Sequence, residues 1–152
     1  MGAQETPATR AARAAGIAFT LHEYTHDPGV GAFGLEAADK LGVDPARVLK
    51  TLVVLRAGAL CVAIIPVEAQ LRLRALGKHA EMAPRARAEA ATGYVRGGIS
   101  PLGQRRRLVT LIEVAVLGHP TVFVSAGRRG LELELDPADL VALTEATALS
   151  LS

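Results

Sequence analysis

The sequence predicts an α+β domain: a curled, mixed, mostly antiparallel β-sheet with barrel-like curvature, surrounded by helices. Three observations predict it. Helical and extended segments do not alternate strictly, as a doubly wound parallel sheet would require. Two pairs of apolar runs are joined by short turns, Ala57-Gly58 and Gly127-Arg128-Arg129-Gly130, as hairpin strands are. The chain has 152 residues, 50% hydrophobic and 21% charged, enough for one compact core without disulfide or metal staples.

The elements follow in order. Thr6-Pro7 opens a first helix that Gly16 closes, with Thr as N-cap and Pro in the first turn. Ile17, Phe19 and Leu21 then alternate with Ala18, Thr20, His22 and Tyr24, the two-residue period of a strand, which Asp27-Pro28-Gly29 ends. Residues 35–41 read as a short helix stopped by Gly42, and Asp44-Pro45 caps a further turn that delivers Lys50 to the next strand. Residues 50–56 and 59–66 form a hairpin through the core, with Cys61 inside it as a small buried hydrophobe. Residues 68–76 read as an amphipathic helix stopped by Gly77, and residues 84–92 as another stopped by Gly93. Residues 93–103, with four glycines and a proline, are a loop. Residues 108–114, 121–126 and 131–135 are three more strands, and Asp136-Pro137 caps a final helix running to about Thr147. Without linker or repeat, residues 1–152 read as a single domain.

Composition excludes several classes of function. The longest apolar run, residues 60–67, is eight residues long and contains Pro66, far short of the ~20 that cross a bilayer. The start of the chain lacks the apolar core of a secretory signal and a lone cysteine makes no internal disulfide, so a cytoplasmic location is expected. The net charge of +2 is carried mostly by Arg, which favours phosphate or carboxylate ligands. Arg105-Arg106-Arg107, beside the glycine loop, suits either a solvated face or an RNA end.

Two motifs have the wrong context. His22-Glu23-Tyr24-Thr25-His26 fits the H-E-x-x-H pattern of zinc peptidases, but it lies on a strand, where Glu23 points away from the two histidines. Gly29-Val30-Gly31-Ala32-Phe33-Gly34 fits G-x-G-x-x-G, but the strand before it is half polar and no buried parallel unit surrounds it. No G-x-S-x-G elbow supports Ser100 or Ser125 as a nucleophile. Neither a metal nor a cofactor is expected.

Other segments resemble a known family. Thr25-His26-Asp27-Pro28, Val48-Leu49-Lys50-Thr51-Leu52, the run from Gly93-Tyr94 through Gly97-Gly98-Ile99-Ser100-Pro101 to Gln104, Val124-Ser125-Ala126-Gly127, and Arg129-Gly130-Leu131-Glu132 resemble, in order and spacing, the YbaK/EbsC family. These are aminoacyl-tRNA deacylases related to the editing domain of bacterial prolyl-tRNA synthetases. The resemblance implies a free-standing editing protein that hydrolyses mischarged tRNA, with Cys-tRNA(Pro) as leading substrate. It implies Lys50 as the residue holding the aminoacylated 3′ CCA end, with Tyr24, Thr51 and Ser125 as catalytic neighbours. Phe33, Gly97, Gly98, Ile99, Ser100, Pro101 and Glu132 would bind substrate. Glu132 stands where the family often has Asp, one methylene shorter. The implied partners are aminoacyl-tRNA and a prolyl-tRNA synthetase, with neither membrane nor DNA among them. The alternatives are a non-catalytic module binding tRNA ends or a synthetase, and a deacylase for another small residue such as alanine.

The implied chemistry is physically economical. An aminoacyl ester is already activated, so positioning and charge stabilisation matter more than a strong base. A bound cysteine's own thiol can attack the ester, and oriented intramolecular attack reaches effective molarities of ~10⁵ M or more. Correctly charged proline has no thiol, whereas a pocket's shape alone separates such similar side chains only ~10- to 200-fold.

Overall fold

The structure, a computed structural model, describes residues 4–152, so residues 1–3 of the apolar-poor start lie outside it. Four helices, α1 (Pro7–Ala14), α2 (Phe33–Leu41), α3 (Arg85–Thr92) and α4 (Pro137–Thr144), accompany eight strands. The strands are β1 (Phe19–Glu23), β2 (Leu49–Arg56), β3 (Ala59–Pro66), β4 (Glu81–Met82), β5 (Val109–Glu113), β6 (Val122–Arg128), β7 (Leu131–Leu135) and β8 (Thr147–Leu149).

Local chemistry explains the boundaries. The Thr6 hydroxyl accepts from the Thr9 N–H at 3.1 Å while the Thr6 N–H donates to the Thr9 hydroxyl at 2.9 Å, a reciprocal cap on α1. Thr6 also donates to the Ala126 carbonyl at 2.5 Å, which ties α1 to β6. Between β2 and β3, Ala57 (φ 51°) and Gly58 (φ 79°) are both left-handed, the turn whose twist matches the flanking strands. Gly42 and Gly93 end α2 and α3 in the left-handed conformation.

The strands form two sheets, ordered β1-β7-β6 and β4-β2-β3-β5-β8, in place of one closed barrel. Pairing is antiparallel except for β3 with β5 and β5 with β8. The principal core lies between the sheets, where Leu49, Val53, Val62, Ile64 and Ile112 meet Val122, Val124, Leu131, Leu133 and Leu135. The two sheets touch through one parallel bridge, Val48 with Phe123.

Two expectations are corrected. Residues 68–76 are not an amphipathic helix; only Leu73–Leu76 form a 3₁₀ turn. Val67, Ala69, Leu71 and Leu73 turn inward while Glu68, Gln70, Arg72 and Arg74 are exposed, the period of an extended segment, and the Arg72 N–H donates to the Leu151 carbonyl at 2.7 Å. The final helix stops at Thr144, because Glu145 is left-handed (φ 54°) and the chain re-extends as β8 beside β5. The last residues are then held by the buried Glu113. Its carboxylate accepts from the N–H groups of Ala115, Leu151 and Ser152 and from the Ser152 hydroxyl, at 2.9–3.1 Å.

Candidate active site

Beyond the Val48–Phe123 bridge β2 and β6 part into separate sheets, and β4 rejoins β2 only at Val54 and Leu55. Residues 49–53 of β2 therefore border a gap, which opens into a cavity of about 590 Å³. Neighbouring side chains on a strand leave on opposite faces, yet both Lys50 and Thr51 line this cavity, because it wraps round the strand's unpaired edge.

The cavity gathers most of the residues singled out from sequence: Tyr24, Phe33, Lys50, Thr51, Gly97, Ile99, Ser125 and Glu132. Register explains part of this. Ser125 is directly opposite Glu132 in the β6–β7 ladder, so the two side chains share one face of the sheet. Gly98, Ser100 and Pro101 do not line it. A Cβ on Gly98 would lie 2.8 Å from the Arg128 Cα, so the loop packs directly on the β6–β7 turn there. Ser100 is fully buried, with its hydroxyl accepting from the Leu102 N–H at 3.2 Å. Pro101 borders a smaller cavity of about 290 Å³ with Arg106 and Arg107.

Sequence reasoning missed Leu35, Met82, Arg85, Glu89 and Arg96, all on the cavity wall. The four-residue spacing of Arg85 and Glu89 on α3, which pair at 3.1 Å, was a readable signal. Met82 gave none, since β4 is two residues long.

The electrostatics are asymmetric. Burial pushes the Glu132 carboxyl up to about 8, so at neutral pH it holds its proton. Burial, helped by the neighbouring Glu132, pushes the Tyr24 phenol up to about 12. Burial lowers Lys50 from its ordinary value, and no carboxylate among the described residues pairs with it. A protonated acid and an unpaired ammonium thus share the cavity, an arrangement suited to an anion or a developing oxyanion.

Two clusters fix the walls. The buried Glu36 carboxylate lies 2.6 Å from His26 Nδ1, accepts from the Asp27 N–H at 2.8 Å and pairs with Lys40 at 3.2 Å, which pins the segment between β1 and α2. Opposite, the Arg129 guanidinium sits 4.5 Å from the centre of the Phe33 ring and donates to the Arg96 carbonyl at 2.9 and 2.6 Å. The histidines of the H-E-x-x-H string are engaged separately, His26 by Glu36 and His22 by Glu134 at 2.8 Å. The G-x-G-x-x-G string follows a strand paired antiparallel with β7, and its last glycine, Gly34, packs against Val67.

Comparison with known proteins gives a consistent result. The family model described as the aminoacyl-tRNA editing domain matches residues 30–143. EbsC of Enterococcus faecalis, named by inference as a Cys-tRNA(Pro)/Cys-tRNA(Cys) deacylase, is 37% identical over 114 residues, 70% of this chain and 69% of that protein. A crystal structure described as an inferred trans-editing enzyme for prolyl-tRNA synthetase shares the fold, with a TM-score of 0.85 at 22% identity over 100% of this chain and 98% of the other. A crystal structure of a hypothetical protein matches with a TM-score of 0.85 at 26% identity, over 96% of this chain and 99% of that one.

Proposed function

The chain belongs to the aminoacyl-tRNA editing domain family and is an aminoacyl-tRNA deacylase, and we propose that it clears Cys-tRNA(Pro) by a reaction in which the protein positions and the substrate attacks. Lys50 carries this reading: it lines the cavity unpaired, across the same hollow from Tyr24, Ser125 and the protonated Glu132. Its ammonium holds the aminoacylated 3′ end through a phosphate or the ester carbonyl oxygen. The substrate's cysteine sulfur then bonds to its own ester carbonyl carbon and the carbon–oxygen bond to the ribose breaks. The thiol proton passes to the leaving ribose oxygen, and water opens the resulting thiolactone to free cysteine.

Support comes from the name of the E. faecalis relative and from the cavity, which gathers Lys50, glycine-rich backbone and polar groups enough to orient a small ester. Among the described residues no helix is long and apolar enough to cross a membrane. In this reading residues 1–152 act as one editing domain.

The test is release of amino acid from a panel of mischarged tRNAs by wild type and by Lys50→Ala. Wild type is expected to release cysteine from Cys-tRNA(Pro) fastest, and Lys50→Ala to lose that activity while keeping the wild-type circular dichroism spectrum. Full activity in the variant refutes the role of Lys50. Faster release of alanine than of cysteine refutes the thiol route. Tight binding of charged tRNA without release would select the non-catalytic module instead.

A further inference from the structure

The cavity contains an orphan polar atom to which the reaction above gives no partner. Thr51 Oγ1 is the buried side-chain polar atom without a hydrogen-bond partner among the described residues, and Thr51 lines the cavity. A buried hydroxyl left unpaired costs about 1–3 kcal/mol, so a native protein retains one where something else completes it.

The backbone of the same residue is also open. On β2 the Val53 carbonyl accepts from the Ala83 N–H at 3.0 Å, on the side away from β3. The Val48 carbonyl accepts from the Val67 N–H at 2.8 Å, on the β3 side. Main-chain groups alternate sides along a strand, so Thr51, two residues before Val53, turns its N–H and C=O away from β3. On that side β4 pairs only with Val54 and Leu55, and β6 bridges only Val48, so no strand pairs with Thr51 there. One residue thus offers a donor and a main-chain acceptor at the open edge, with its buried, unpartnered hydroxyl beside them.

We propose that the aminoacyl group of the substrate docks at the open edge of β2 as a single-residue antiparallel partner of Thr51. Its α-ammonium donates to the Thr51 carbonyl and hydroxyl oxygens, and its ester carbonyl oxygen accepts from the Thr51 N–H. Two antiparallel residues that face each other in the hydrogen-bonded register exchange these same two bonds. The inference rests on the deacylase reading and deepens it. The seat grips atoms common to every α-amino acid, holds the ester carbon in one place, and leaves the choice of side chain to the rest of the cavity. It also favours a free α-ammonium, whose several charged N–H donors reach both oxygens, over the single N–H of a peptidyl- or formylaminoacyl amide.

The test is calorimetric titration with stable amides of 3′-amino-3′-deoxyadenosine, one carrying cysteine and the other its deamino counterpart, 3-mercaptopropionate. Wild type is expected to bind the cysteine amide about tenfold or more tighter, as suits hydrogen bonds to a charged group. Thr51→Val, nearly isosteric, is expected to cut that ratio several-fold, and Thr51→Ser to retain it. Equal affinity of wild type for the two amides, or an equal loss on both in Thr51→Val, overturns the seat. Because binding is read without turnover, a wild type that discriminates between the amides but releases nothing from charged tRNA refutes the deacylase reading and leaves the seat standing.

Discussion

Phe33 and Arg129, 96 residues apart in sequence, form one stacked pair, with the guanidinium 4.5 Å from the ring centre. The pair joins the start of α2 to the β6–β7 turn, and its hydrogen bonds to Arg96 add the glycine loop. Gly97 makes this possible: its φ is 88°, and a Cβ there would lie 2.4 Å from Arg129 Nε and 3.1 Å from the Phe33 ring. Gly97→Ala is therefore expected to force the stack apart and lower kcat/KM for charged tRNA about tenfold or more. Arg129→Ala, which removes the stack without adding bulk, is expected to raise KM about five- to thirty-fold with kcat nearly unchanged. Steady-state kinetics on both variants checks this.

Glu132 makes stability depend on pH in a direction opposite to most carboxylates. Burial raises its folded value to about 8 from an ordinary 4.5, so the folded chain holds a proton that the unfolded chain releases above 4.5. The contribution is present in full below pH 4.5 and is lost as pH rises to about 8. Urea unfolding of wild type from pH 5 to 9 is expected to show a falling contribution that Glu132→Gln abolishes; an identical slope in the two proteins would refute it.

Glu36 acts in the other sense. Burial raises its carboxyl, but the Asp27 N–H, His26 and Lys40 outweigh this and bring it down to about 2. That stability is present above 4.5 and is lost as pH falls towards 2. Glu36→Gln is expected to cost about 1.5–3 kcal/mol at pH 7 and to lose less than wild type on acidification to pH 2.5, measured by chemical denaturation.

Two glycine substitutions separate packing from freedom. Gly103 has φ 67°, and a Cβ there would lie 2.4 Å from the Pro7 carbonyl oxygen. Gly103→Ala is expected to cost about 2–4 kcal/mol by strain and by prying α1 from the loop. Gly29 meets nothing within 4 Å, and Gly29→Ala is expected to stay within about 0.5 kcal/mol. Thermal unfolding of both measures the contrast.

The β2–β3 turn leaves room for improvement. Ala57 holds φ 51°, a conformation that Asn adopts far more readily. Ala57→Asn is expected to stabilise the protein by about 1 kcal/mol and raise Tm by about 2–4 °C; an unchanged Tm would count against a strained turn.

Much of this architecture is legible in local chemistry, because caps and turns are local. Thr6, Gly42, Ala57-Gly58 and Gly93 mark boundaries that the structure keeps. What sequence misread was set by distant partners. Residues 68–76 carry an extended alternation, held by the Leu151 carbonyl and by packing of Ala69, Leu71 and Leu73 against a cluster of Val54, Ile65 and Leu111, while their leucines and arginines favour a helix by propensity. β8 is three residues whose only reason to be extended is β5 beside them, and the Glu113 clamp needs residues 38 and 39 positions away. At the cavity, family likeness pointed to eight residues that line it and to Gly98, Ser100 and Pro101, which do not, and the unpaired edge of β2 depends on where β4 stops. No local pattern encodes that.

A bare strand margin on the outside of a protein invites a second copy to zip onto it, and natural sheets guard such margins with charge, prolines or bulges. Here residues 49–53 border a cavity that the start of α2 and Arg96, Gly97 and Ile99 also line. An edge set in a cavity of about 590 Å³ offers a second chain less free length than a continuous outer margin would.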